Sequence, residues 1–379
     1  MSAPDRLPPP PPLLVRGEHE TLYDISGHAL IDLAGGGLGC RPPSVAAAVR
    51  AQSARMGLSN RVLISEPLIE LCHRLATLLP APLTTSYVCN SGDEAFEGAL
   101  KQCKGLAPQR RRIACLTGCD YGSLSYGRLL TWPEEYRALA DFLGIEVLRL
   151  DQSIPDPAML ADCYALCYAP LRREADGSWR RTSRELVAAL QVVARQAGVP
   201  LICHASDHCL GQLGSLFGLD SDDPIPDLLV LGGALGGGMV PIGCFVGSAE
   251  AAYRVYGRSS PAKHGSTTAG NPLACVAALA ALDLAVGLDA PARCREAGRL
   301  LADALSPLVV AVEGAVVGLR CPDGVDAALW ADRLREEGVL VRREAGSVLT
   351  LRAPALARPE VLRRAALAIE RSLIHVGQH

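Results

Sequence analysis

The feature that most constrains this fold is a train of short, nearly continuous apolar segments, each followed by helical periodicity or a loop. Ser86 to Cys89, Ile113 to Leu116, Glu146 to Leu150, Cys163 to Tyr168, Pro200 to Cys203 and Leu228 to Leu231 read as strands, and Gly92 to Cys103 and Thr182 to Gln196 read as helices among them. A short strand that is apolar on both faces must be covered on both faces. Alternation with helices supplies that cover and predicts a mostly parallel sheet.

Further helices are expected over Ser44 to Ser53, Pro67 to Leu79, an Ala/Leu-rich stretch from Leu273, Pro291 to Leu305, Val325 to Glu337 and Pro359 to Leu373. The proline run Pro8 to Pro12 cannot form helix or central strand and is expected as an extended arm. With 379 residues the chain is long enough for two packed α/β units.

A formal net charge of −3 gives no general electrostatic case for nucleic acid or an anionic membrane, so a small-molecule substrate is the expected partner. No apolar run reaches the roughly 18 residues that a membrane span needs, and the N-terminus lacks a basic region followed by an apolar core, so a cytoplasmic location is expected. The fourteen cysteines lie in apolar segments without paired CxxC units and are expected as buried, reduced thiols.

Ser91 followed by Glu94 forms a capping-box pattern, and the helix start behind it offers free N–H groups to an anion. The surrounding segment, Asn90 to Lys101 (NSGDEAFEGALK), resembles the class III aminotransferase signature NSG(T/A)EAxExAxK. Asp227 with Ala234 to Gly243 is similar to that family's run PDxxxxxKxxxGGxxPxG, and His264 to Cys275 resembles its HGxTxxGNPLAC block. Asp32 to Gly37 and the Gln52 helix also match in type and spacing. The resemblance implies a fold type I architecture: residues 1–45 as an arm and part of a small domain, 46–284 as a large domain, and 285–379 as the rest of the small domain. It also implies a homodimer with its pocket at the subunit interface. Ser91, Gly92 and Asp93 would border the phosphate of pyridoxal phosphate (PLP), and Thr267 and Thr268 would reach the phosphate of the neighbouring subunit.

Against that pattern the chain departs at several positions. Gly233 stands where the family has its Schiff-base lysine; only Lys101, Lys104 and Lys263 exist, and Lys263 is the one candidate for a displaced linkage. His204 stands where an aspartate would pair with the pyridinium nitrogen, and Asp120 where an aromatic ring would stack. Ala169 replaces a glutamate, Asp93 brings a carboxylate beside the phosphate, and Leu351 takes a substrate-arginine position with Arg352 next to it.

These departures lead to the expectation that PLP is not the cofactor. A PLP-independent biosynthetic enzyme is expected instead, working by cyclisation, elimination, isomerisation or hydrolysis with His204, Asp120, Tyr121 and Asp207 as acid/base residues. A non-catalytic scaffold and an atypical PLP transaminase stay open as alternatives. No metal is expected, although Cys203, His204, Asp207, His208 and Cys209 crowd one segment. Cys119 or Cys209 as a nucleophile is a further, less favoured reading.

Overall fold

The computed structural model describes residues 11–59, 63–132, 134–257, 264–343 and 346–376. Part of the proline arm, residues 8–10, and Lys263 lie outside them. Three strands open the chain: β1 (Leu14–Glu18), β2 (Thr21–Asp24) and β3 (Ala29–Leu33). The middle carries β4 (Thr85–Cys89), β5 (Arg112–Leu116), β6 (Glu146–Leu150), β7 (Cys163–Tyr168), a short ribbon of β8 (Leu171–Arg173) and β9 (Trp179–Arg181), then β10 (Leu201–His204), β11 (Leu228–Leu231) and β12 (Gly243–Gly247). β13 (Val309–Glu313), β14 (Val316–Arg320), β15 (Val339–Arg343) and β16 (Val348–Arg352) follow.

One seven-stranded sheet has the order β4-β12-β11-β10-β7-β5-β6. Its pairings are parallel from β11 through β10, β7, β5 and β6, and antiparallel where β12 joins β11 and β4. Every residue of β7, β10 and β11 is buried, as strands covered on both faces must be. Helix Gly92–Leu106 covers this sheet with Ala95, Phe96, Ala99, Leu100 and Cys103. Helix Arg184–Ala197 starts on the Ser183 side chain and stops at left-handed Gly198. Helix Pro272–Gly287, apolar all round, is buried along much of its length.

The second sheet has the order β1-β2-β3-β15-β16-β14-β13, so the opening strands pair with the C-terminal ones through the parallel contact of β3 with β15. The two sheets and their helices share one hydrophobic core. The fold type I aminotransferase architecture expected from the resemblance is therefore present. Among the described residues no single helix is long and apolar enough to cross a membrane; Pro272–Gly287 with Ala290–Ala304 passes on length and composition only as a pair bent by 69°.

β12 is absent from the sequence reading because Gly243 and Gly247 at its ends look like turn residues. Gly243 is needed for packing: a Cβ there would collide with the backbone of Ser91 at the start of helix Gly92–Leu106. The ribbon β8–β9 was also missed. Its arginines hide any apolar alternation.

Candidate active site

A cleft of about 510 Å³ lies at the carboxyl ends of the parallel strands, where this class of sheet places its ligands. One wall belongs to the parallel sheet and carries Asp93, Asp120, Ser123, His204, Ser206 and Asp207. The opposite side carries Arg342, Arg343 and Arg352 from β15 and β16, with Arg173 from the ribbon and Arg128 at the mouth.

His204 ends β10 and is 5% exposed. Its Nδ1 lies 3.0 Å from the Asp120 backbone oxygen, and its Nε2 lies 3.1 Å from Ser206 Oγ. A carbonyl can only accept, so Nδ1 carries the proton of the neutral ring and Nε2 accepts from Ser206. Phe96 meets the ring edge-on at 4.9 Å between centroids. Burial lowers the His204 pKa below its ordinary 6.5, and Asp120, Asp207 and Asp93 pull against that shift.

Asp120 reaches the cleft as expected, but it meets His204 through its backbone, while its carboxylate accepts from Gly122 N at 2.9 Å. Tyr121 does not reach the cleft. It is fully buried and donates to the carbonyls of Leu116 and Cys167, both at 2.9 Å, so the acid/base role expected of it is corrected to a structural one. Asp207 faces the cleft but is engaged by Arg342 at 2.9 Å and Arg352 at 3.3 Å. Burial pushes its carboxyl up, but the two guanidiniums outweigh burial and hold it well below the usual carboxylate range. Asp207 therefore ties the two walls together and is a poor base.

The helix start behaves largely as its sequence foretells. Ser91 Oγ accepts from Glu94 N at 3.1 Å, whereas the Glu94 carboxylate reaches back to Asn90 N at 2.8 Å, one residue earlier than a capping box requires. Asp93 turns toward Ser123, accepting from its N at 3.0 Å and its Oγ at 2.5 Å. Gly92 packs so closely on Ser206 that a Cβ would collide with it. Thr268 Oγ1 donates to Asn90 Oδ1 at 3.0 Å, and Thr267 is exposed outside the cleft lining.

Gly233 has φ +51°, and a Cβ there would stand 3.0 Å from the Ser206 carbonyl oxygen. Lys101 Nζ lies 3.4 Å from His264 Nδ1, and Lys104 bonds the Arg110 carbonyl; neither lines the cleft. Leu351 is fully buried, whereas Arg352, one residue on, faces the cleft. Cys119 and Cys209 are buried, and burial pushes both thiols up to about 11, which removes them as nucleophiles. No three potential metal ligands converge among the described residues.

Sequence reasoning missed most of the cationic side. Arg173 stacks over Trp179 and Trp132, with 4.9 and 5.6 Å to the ring centroids, and Trp179 Nε1 donates to Thr350 Oγ1 at 3.1 Å. The adjacent pair Arg342-Arg343 at the end of an apolar strand was the available signal.

A polar cleft at the carboxyl ends of a parallel sheet, lined on its other side by arginines from a second sheet, is the candidate site of this α/β protein. A family model described as aminotransferase class-III matches residues 3–171 and 174–373, and the chain belongs to that family. Solved structures agree in fold. Ornithine aminotransferase from Toxoplasma gondii is 22% identical, with 99% of this chain and 93% of that one covered and a TM-score of 0.85. An amine transaminase from an uncultivated Pseudomonas species in a PLP-bound form is 23% identical, with 100% and 99% covered and a TM-score of 0.85. Adenosylmethionine-8-amino-7-oxononanoate aminotransferase from Methanocaldococcus jannaschii is 20% identical, with 97% and 94% covered and a TM-score of 0.86.

Membership in this family overturns two expectations from the sequence: that the chain has left PLP chemistry, and that it takes no cofactor. The physical error lay in equating departures from motif positions with loss of the reaction. The difficult electronic work in such a family is done by the cofactor, while the protein binds, orients and moves protons.

Proposed function

We propose that this protein holds PLP in the cleft without a covalent link at position 233 and transfers an amino group to or from a small acidic substrate. The observation that carries this reading is the arginine-rich cleft at the carboxyl ends of β5, β7 and β10 in a chain matched almost throughout by the family model. A lysine-linked cofactor does not fit the described residues. Gly233 has no side chain, the Ser206–Asp207 turn crowds its missing Cβ, and neither described lysine lines the cleft.

A cofactor held by non-covalent contacts does fit. Arg128, Arg173 and Arg343 supply positive charge for its phosphate, and His204 offers a neutral ring at the cleft floor. When bound, PLP serves as the electron sink for the carbon that bears the amino group. Arg342 and Arg352, already directed at the Asp207 carboxylate, are placed to receive a substrate carboxylate as well.

The same reading includes a homodimer. Met56, Leu58, Leu63, Ile64 and Ile69 are exposed within one short stretch, the kind of apolar patch that a partner covers. Equilibrium dialysis against PLP, followed by an amino-transfer assay with acidic amino donors, tests the function. Saturable binding with one PLP per chain and slow transfer are expected; no saturable binding would sink the reading. Sedimentation at micromolar concentration tests the dimer, and a monomer would remove it.

A further inference from the structure

The turn after β10 sets a hydroxyl and an imidazole at the place where a side chain from residue 233 would have to pass. Ser206 is 5% exposed, lines the cleft, and has its carbonyl 3.0 Å from the missing Cβ of Gly233. Its Cβ leaves no room for a side chain at Gly92, so the turn is seated closely against the helix start. Its Oγ donates to His204 Nε2 at 3.1 Å, and the far nitrogen of that ring is occupied by the Asp120 carbonyl at 3.0 Å. The ring is therefore held in one tautomer with its lone pair on Ser206. This is the arrangement in which a hydroxyl can accept a proton while releasing its own.

We propose that Ser206 and His204 are the proton-transfer pair of this cleft, doing the work that an amine at position 233 cannot do. Ser206 Oγ takes the proton from the substrate carbon that bears the amino group, and the Ser206 hydroxyl proton passes to His204 Nε2. The C–H electron pair stays with the bound ligand. Return of the proton to the ligand by the same path restores both side chains, so nothing is oxidised or reduced within the pair. Ser206 is the catalytic residue and His204 the base behind it; Asp120 is a positioning residue acting through its carbonyl. The inference rests on the PLP reading above, because only such a cofactor makes that C–H acidic enough.

The groups facing the imidazole agree with this use. Asp120 from the loop after β5, Asp93 from the helix start and Asp207 from the same turn all favour the transient imidazolium, while His208 disfavours it. Phe96 and Tyr121 complete the surroundings, and the Tyr121 hydroxyl is engaged with carbonyls. A base that burial keeps neutral at rest and that carboxylates face when protonated can both take and return a proton.

Two measurements test the pair. In the cofactor-free protein, ¹⁵N NMR of the imidazole should show the proton on Nδ1, and Ser206→Ala should move the Nε2 resonance. In the PLP-loaded protein, exchange of the Cα proton of bound L-glutamate in D₂O should fall about 10²- to 10⁴-fold in Ser206→Ala and in His204→Asn. His204→Asn keeps a donor for the Asp120 carbonyl, so its fold should persist, as circular dichroism would show. PLP bound per chain, read from its absorbance, sets equal loading for the comparison, and wild-type exchange should slow as the pH falls through the His204 pKa, a dependence lost in His204→Asn. A proton on Nε2, or Ser206→Ala exchanging as fast as wild type with PLP bound, overturns the pair. Failure of wild type to bind PLP is a separate result that removes the reading beneath it.

Discussion

The two walls of the cleft are built by different forces. The parallel-sheet wall is fixed by backbone packing: Gly92 and Gly243 allow the helix start, β12 and the Ser206 turn to approach closely, and His204 is bonded to main chain. The opposite wall is fixed by charge. Arg342 and Arg352 reach across to Asp207, and the Arg352 guanidinium also bonds the Asp207 carbonyl. One wall should therefore tolerate almost no added volume, and the other should tolerate shape changes but respond to charge.

The largest expected effect lies on the packed wall. Gly243→Ala would push a methyl group into the Ser91 backbone, and because backbone cannot swing aside, a loss of about 3 kcal/mol or more is expected. Chemical denaturation measures it; near-wild-type stability would mean that this wall is looser than its contacts imply. On the charged wall, Arg352→Ala leaves Asp207 with Arg342 alone. Arg352 is buried but the Asp207 side chain is about half exposed (46%), so a loss of about 1–2 kcal/mol is expected.

A pH titration of stability separates the walls further. Burial keeps His204 below its ordinary 6.5 and, aided by Arg352, takes His208 down to about 3. The unfolded chain protonates these rings first. Their contribution is thus fully present above pH 6.5 and is lost as the pH falls toward 3. Thermal melts between those limits should fall steadily, and the fall should be shallower in His208→Gln. The smallest effect on stability is expected at exposed Arg343: Arg343→Ala should change it by less than about 0.5 kcal/mol while weakening PLP or substrate binding. Unchanged ligand affinity would show that the outer arginines do not serve the site.

The same contrast explains what could be read in the sequence. The continuous apolar strands at Cys163 to Tyr168 and Leu228 to Leu231 appear at the expected residues, because burial on both faces leaves a local mark. His204, Asp120 and Asp207 were expected at the pocket from motif spacing, and all three line the cleft; Arg352 was noted only as the neighbour of Leu351. Tyr121 was misassigned because its neighbour Asp120 faces the cleft while the tyrosine itself turns inward to two carbonyls, a distinction that spacing does not encode. Ser206 went unnoticed, since its importance comes from Gly92, Gly233 and His204 meeting around it from distant parts of the chain. The arginine wall needs β15 and β16 to be folded over the parallel sheet before it exists as a site.

The central claim is that this aminotransferase-family chain holds PLP without a lysine linkage. Its most direct test is to saturate the protein with PLP, reduce with borohydride and measure the mass of the denatured chain. The account predicts saturable binding before reduction and no PLP-derived mass increase afterwards. A stable adduct mapped to Lys101, Lys104 or Lys263 would contradict it.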